Sequence, residues 1–149
     1  MIPDDVDVLE GEVRGTRRGV ALVVSRIRVE TANVLLEAAL AELDRAGVAR
    51  SQVLVTAVPG PFELPLAAMA LAKTRRYACI VALGVADDPI VAPEAASGLQ
   101  LAGLETGVPI TFGVVTAEQD PEELGATAVR HALEMADLFQ QLRAATKGA

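Results

Sequence analysis

The chain has 149 residues, enough for one domain with a buried core, and 52% are apolar, mostly Ala, Val and Leu, with three Phe, one Tyr and no Trp. A formal net charge of −7, with no Lys/Arg cluster interleaved with aromatics, argues against nucleic acid and anionic membrane as direct partners. The single Cys79 excludes an internal disulfide and a Cys-based zinc cluster, and no apolar stretch reaches membrane-spanning length.

Met1-Ile2-Pro3-Asp4-Asp5 opens acidic, not basic-then-apolar, so no secretory leader is expected and the cytoplasm is the expected compartment. Residues 1–9 read as a loose acidic arm, and Glu10 to Arg14 as a short polar strand at a sheet edge or between subunits. Gly15 to Gly19 is a basic turn. Residues 19–25 are a continuous apolar run, as expected of a strand buried on both faces. Thr31 is placed to cap the next helix, which carries Leu35, Leu36, Ala39, Leu40 and Leu43 on one face and stops at Gly47. Residues 52–58 form the second buried strand and 62–73 the second helix, where Pro65 falls in the tolerant first turn. A third buried strand, 78–83, ends at Gly84, and Cys79 within it reads as an inert core thiol. Asp87-Asp88-Pro89 is loop, a helix follows over 93–105, and 108–115 is the fourth strand. Pro121 opens a long helix towards Arg143, leaving 144–149 as a tail.

Four alternations of apolar strand and helix predict one α/β domain over 19–143. Its architecture is a three-layer sandwich with a four-stranded parallel sheet between helices joined by right-handed crossovers. Residues 1–18 stay outside it as an arm with the edge strand. Ligands of such sheets sit at the carboxyl ends of the strands, here residues 25–28, 58–63, 84–88 and 114–117.

The second of these ends is the most informative stretch: Val58-Pro59-Gly60-Pro61-Phe62-Glu63-Leu64-Pro65-Leu66-Ala67-Ala68. It is a strand-to-helix junction built of turn residues, where unpaired backbone N–H groups favour a polar or anionic ligand. Glu63 is the only charged residue between Arg50 and Lys73. It either complements the helix dipole or accepts hydrogen bonds from a ligand. Arg26 and Arg28, at the first strand's exit, hold an anion or make surface ion pairs. Asp87 and Asp88 lack a neighbouring His and read as polar loop before metal pair. His131, the only histidine, falls on the last helix as a solvated or interface residue. No metal and no cofactor is expected.

These segments resemble the lumazine synthase family, the penultimate enzyme of riboflavin synthesis, from Gly19 to Leu142. The likeness lies in Val23-Val24-Ser25-Arg26, in the 58–65 motif, and in Ala82-Leu83-Gly84-Val85. It continues through Glu94-Ala95-Ala96-Ser97-Gly98-Leu99, Gly107 to Thr116, and Ala132-Leu133-Glu134-Met135-Ala136. The resemblance implies a lumazine-synthase-like fold assembled as pentamers or larger homo-oligomers, some of them closed shells. It also implies condensation of a ribitylamino-pyrimidinedione with a four-carbon dihydroxyketone phosphate. Ring and ribityl contacts would fall on Gly60, Pro61, Phe62 and Glu63, with Gly84 and Val85 from the same subunit and Thr111 and Phe112 from a neighbour.

The other half of that pocket differs. Ile27 stands where the family has a ring-stacking aromatic, a loss of roughly 0.5–1.5 kcal/mol of specific contact. The family's Arg-Gly-(Glu/Ala)-Thr-x-His segment, with its phosphate-facing groups and imidazole, is replaced by a shorter Ala86-Asp87-Asp88-Pro89-Ile90. No Lys or Arg lies between Val114 and Val129, where the family carries phosphate-binding cations. The expectation is a divergent member without standard synthase activity and with no catalytic residue assigned. It would form a pentamer-based assembly or shell and bind a pyrimidine- or flavin-like ligand, with cargo or a paralogous synthase as further partners. The alternative is an active 6,7-dimethyl-8-ribityllumazine synthase, or a relative condensing a substrate without phosphate.

Overall fold

The most apolar run of the sequence lies at the centre of the fold. In a computed structural model describing residues 3–116 and 118–147, strand β1 (Val20–Ser25) is buried at every position. It lies between β2 (Val53–Val58) and β3 (Cys79–Val85), with β4 (Ile110–Val115) beyond β3. All pairings are parallel, with Val20 opposite both Val53 and Cys79, and Ile80 opposite Ile110. Parallel neighbours need crossovers. Helices α1 (Val29–Arg45), α2 (Leu64–Lys73) and α3 (Val91–Thr106) provide them, and α4 (Pro121–Lys147) follows the last strand.

Because side chains alternate along a strand, β1 and β3 feed two cores. Val20, Leu22, Val24, Val81 and Leu83 pack with Leu35, Leu43, Val129 and Leu133 of α1 and α4. Ala21, Val23, Ile80 and Ala82 pack with Leu64, Ala68, Ala72 and Leu99 of α2 and α3. The expected three-layer parallel α/β sandwich is therefore the observed one. Small residues let the helices approach closely: a Cβ on Gly125 of α4 would sit 2.6 Å from the Leu35 carbonyl oxygen of α1. Cys79 is fully buried, and burial pushes its thiol up to about 12, consistent with an inert core residue. Among the described residues no helix is long and apolar enough to cross a membrane.

Several sequence expectations need correction. Residues 10–14 form no strand within this chain. Two of their backbone groups are met by α4 side chains: the Glu12 N–H donates to Asp137 (2.9 Å) and Gln141 donates to the Glu10 carbonyl (2.7 Å). Asp137, fully buried, also accepts from Arg14 (2.7 Å) and the buried Arg18 (2.9 Å). The Glu12 N–H, then Arg18 and Arg14, hold its carboxyl well below the usual carboxylate range. Strand β2 is not buried throughout, because it is the sheet edge and leaves Leu54 and Val55 exposed.

Thr31 does not cap α1. The helix starts earlier, at Val29, with the Arg28 carbonyl accepting the Ala32 N–H (2.9 Å) and Arg28 itself in the left-handed region at φ 56°. Helix α3 starts at Val91, with Asp88 accepting the Ile90 N–H (2.8 Å) just before it and Pro93 in its first turn. Helix α4 runs past Arg143 to Lys147, through the strong helix formers Ala144 and Ala145, so the expected tail is largely helical. The expectations touching Met1, Ile2, Ala117, Gly148 and Ala149 lie outside the described residues.

Candidate functional site

At the carboxyl end of β1 the ladder continues one step past the strand, with the Arg26 N–H donating to the Val58 carbonyl (2.9 Å). The Ile27 N–H donates to Ser25 Oγ (3.4 Å), which directs the chain across the top of β2. There Ile27 meets Gly60. Gly60 is extended (φ −157°), a conformation open to any residue, so space is what constrains it. A Cβ would lie 3.1 Å from Ile27 Cδ1 and 3.4 Å from Glu63 Oε1. Pro61–Glu63 then make one 3₁₀ turn, closed by the Glu63 N–H on the Gly60 carbonyl (3.2 Å), and lead directly into α2.

This junction forms one wall of a cavity of about 340 Å³, within the range of small-ligand sites. Ile27, Gly60, Pro61, Phe62 and Glu63 line one side, and Val85, Asp87 and Asp88 line the other. Eight sequence candidates thus meet around one space at the carboxyl ends of β1, β2 and β3. Phe62 is 69% exposed, an aromatic face at the cavity with nothing in this chain covering it. Glu63 is half-buried, and its carboxylate makes no hydrogen bond or ion pair among the described residues. Asp87 pairs with Arg28 at 2.8 Å, both side chains about half in water or more. A second, more polar cavity of about 330 Å³ lies beside the first and shares Val85 and Asp87 with it. Arg28, Thr31 and Gln119 also line it.

The remaining candidates lie elsewhere. Gly84 lines no part of the cavity. It is buried beneath, where a Cβ would meet Ser25 Cβ at 2.9 Å, so close strand packing is what it serves. Arg26 is exposed and outside the lining. Thr111 donates to the Ala128 carbonyl of α4 (2.9 Å), near the start of β4 and away from the strand exits. Phe112, 37% exposed at the β4 edge, does not reach the cavity of its own chain, and the resemblance assigns both residues to a neighbour's site. His131 is exposed on α4 and lines none of this space. Ala86 and Val91 complete the lining, and sequence reasoning missed them. Neither has a signal in its residue type, and Val91 could be placed only by knowing that α3 starts there.

Chemically, the cavity is an apolar slot with carboxylates at its edge. Ile27 and Phe62 offer apolar surface to a planar ring, and Glu63 can accept hydrogen bonds from ring N–H or amino groups. The cavity offers a phosphate neither a guanidinium free of a carboxylate nor an imidazole. Among the described residues no three His, Cys, Asp or Glu come together as a metal site.

Comparison with known proteins bears on the whole of this arrangement. The family model described as 6,7-dimethyl-8-ribityllumazine synthase matches residues 18–140. Proteins of that name from Thermococcus onnurineus and Thermococcus kodakarensis are 37% and 36% identical to this chain. The aligned parts cover 93% of this chain in both cases, and 99% and 97% of the relatives. The one from Nitrosospira multiformis is 34% identical, over 90% of this chain and 91% of its own length. With the sheet order, the Gly60–Glu63 junction and similarity over nearly its full length in agreement, the chain belongs to the 6,7-dimethyl-8-ribityllumazine synthase family.

Proposed function

We propose that this chain is a ligand-binding member of its family. It holds a pyrimidine- or flavin-like ring in the cavity between Ile27, Phe62 and Val85, in a pentamer-based cytoplasmic assembly, and does not carry out the standard condensation. The observation that carries this is selective. The ring-side residues Gly60, Pro61, Phe62 and Glu63 converge on one cavity, while the opposite wall presents Asp87 and Asp88 where the family resemblance calls for phosphate-facing groups and an imidazole. A general acid–base group contributes about 10²–10⁴ in rate, and a carboxylate pair opposes a phosphorylated substrate as well. Assembly is supported by apolar surface that a monomer leaves in water, including Leu66 and Leu104, each 76% exposed, and the open edge of β2.

The deciding experiment is single-turnover lumazine formation from the ribitylamino-pyrimidinedione and the butanone phosphate, corrected for the uncatalysed reaction. A rate equal to background is expected. A second reading, the condensing enzyme itself, is favoured by 36–37% identity to proteins named as the synthase. Clear acceleration would establish it, since ring binding and proximity alone supply much of such a rate.

A further inference from the structure

We infer that the cavity selects its ligand by charge. It admits an uncharged or cationic heterocycle bearing ring N–H or amino donors, and rejects the phosphorylated form of the same ring. This rests on the ring-binding reading above and adds which members of that ligand class enter.

Three carboxylates, Glu63, Asp87 and Asp88, line the cavity, and no Lys or Arg among the described residues of this chain does. Arg28, in the adjoining cavity, donates its Nε–H to Asp87 at 2.8 Å and offsets one of the three negative charges. Arg26 leaves the same strand end but stays outside the lining. Asp88 has a backbone partner, the Ile90 N–H at 2.8 Å, which fixes its position and leaves its charge uncompensated. The Glu63 carboxylate has no partner among the described residues. The excess charge is therefore that of Glu63 and Asp88, set at the edge of an otherwise apolar slot.

Two features hold this charge in place. Arg28 immediately precedes α1, in the left-handed backbone region at φ 56°, and its side chain reaches Asp87 at the exit of β3. Asp88 is fixed by its bond to the Ile90 N–H immediately before α3. A phosphate entering the space would meet three carboxylates against the one Arg28 guanidinium, which already shares its Nε–H with Asp87. Amino and imide N–H groups meet the reverse situation, because each carboxylate offers them an acceptor. Discrimination thus comes from a repulsive element built against one ligand as well as attraction for the other. Two uncompensated carboxylates facing a phosphate dianion across one cavity correspond to about a tenfold or larger difference in affinity at low salt.

Riboflavin and its 5′-phosphate carry the same ring and differ in that charge, so they are the probes. Fluorescence titration of the full-length protein at low ionic strength should show riboflavin binding at least about tenfold tighter than the phosphate. The double substitution Asp87→Asn, Asp88→Asn removes two carboxylates and releases Arg28, and should close most of that gap. Raising salt to about 1 M should narrow it in the unmodified protein, a readout independent of any variant's folding. Equal affinities at low salt, or tighter binding of the phosphate, would overturn charge selection and leave ring binding standing. Binding of neither probe would overturn the ring-binding reading and charge selection with it.

Discussion

Asp137→Ala should separate what fastens the N-terminal arm from what merely touches it. Asp137 is fully buried on α4 and receives the Glu12 N–H, Arg14, Arg18 and Gln141. Truncation leaves Arg18, itself buried, without its carboxylate. Breaking a buried pair costs about 3–5 kcal/mol, and a value near 3 kcal/mol is expected here because Arg14 keeps one edge of the network wet, at 55% exposure. In a domain of this size that lowers the thermal midpoint by roughly 6–12 °C. Arg14→Ala should lose far less, since its charge is largely solvated.

The sign with pH follows from the direction of the shift. The folded carboxyl titrates below its unfolded value, so its stabilisation is fully present above the ordinary carboxylate range and is lost as pH falls through it towards the folded value. The gap between parent and Asp137→Ala should therefore be widest at neutral pH and shrink by pH 3. Thermal melts of the parent and both variants at pH 7 and pH 3 decide it. An Asp137→Ala midpoint within about 1 °C of the parent, or a gap that does not change with pH, would refute the argument.

Two further substitutions test the packing and the site. Gly125→Ala gains about 1 kcal/mol of helix propensity but drives a Cβ to 2.6 Å from the Leu35 carbonyl oxygen, a backbone atom that cannot turn aside. With overpacking costing about 1–3 kcal/mol, a net loss of about 1 kcal/mol and a midpoint lower by roughly 2–4 °C are expected in a thermal melt. A variant as stable as the parent would mean that α4 does not lie so close to α1. Ile27→Phe restores a ring face over Gly60 and should tighten riboflavin by about 0.5–1.5 kcal/mol, roughly two- to tenfold in Kd by fluorescence titration. Unchanged or weaker binding would remove Ile27 from the ring-contacting wall.

The order of elements was legible because β1 and β3 are short, rich in β-branched residues and apolar at nearly every position, as strands of a sheet covered on both faces are. The same reasoning misjudged β2, whose residues 54 and 55 are as apolar as those of β1, because composition does not say which strand is the edge. Helix starts were misplaced where the cap is made by backbone geometry, as at Arg28, and not by a Ser, Thr or Asp side chain. The Gly60–Glu63 part of the cavity lining was legible because it is contiguous in sequence, with residues 61–63 on one turn. The Arg18–Asp137 pair, 119 positions apart, carries no local signal at all. Gly84 has a second reason to be glycine that the sequence did not signal, because a Cβ there would meet Ser25 Cβ at 2.9 Å.

The residues that hold the fold and those that line the cavity are largely separate, so the architecture does not depend on what the cavity presents to a ligand. The sheet and its two cores depend on β1, β3 and the inner faces of the helices, none of which the 86–90 segment enters beyond the buried Ala86. That segment joins the end of β3 to the start of α3 directly, and its side chains are already engaged, Asp87 with Arg28 and Asp88 with the Ile90 N–H. A phosphate seat requires several backbone N–H groups and a cation converging on one point. A connection this short, spent on an ion pair and on the entry to α3, has no backbone to spare for one. Placing a histidine at 87 or 88 would supply an imidazole and at the same time release Arg28 or the first turn of α3. On the reading proposed above, the loss of phosphate chemistry resides in the length and bonding of the whole segment, so a single histidine at 87 or 88 should not restore condensation.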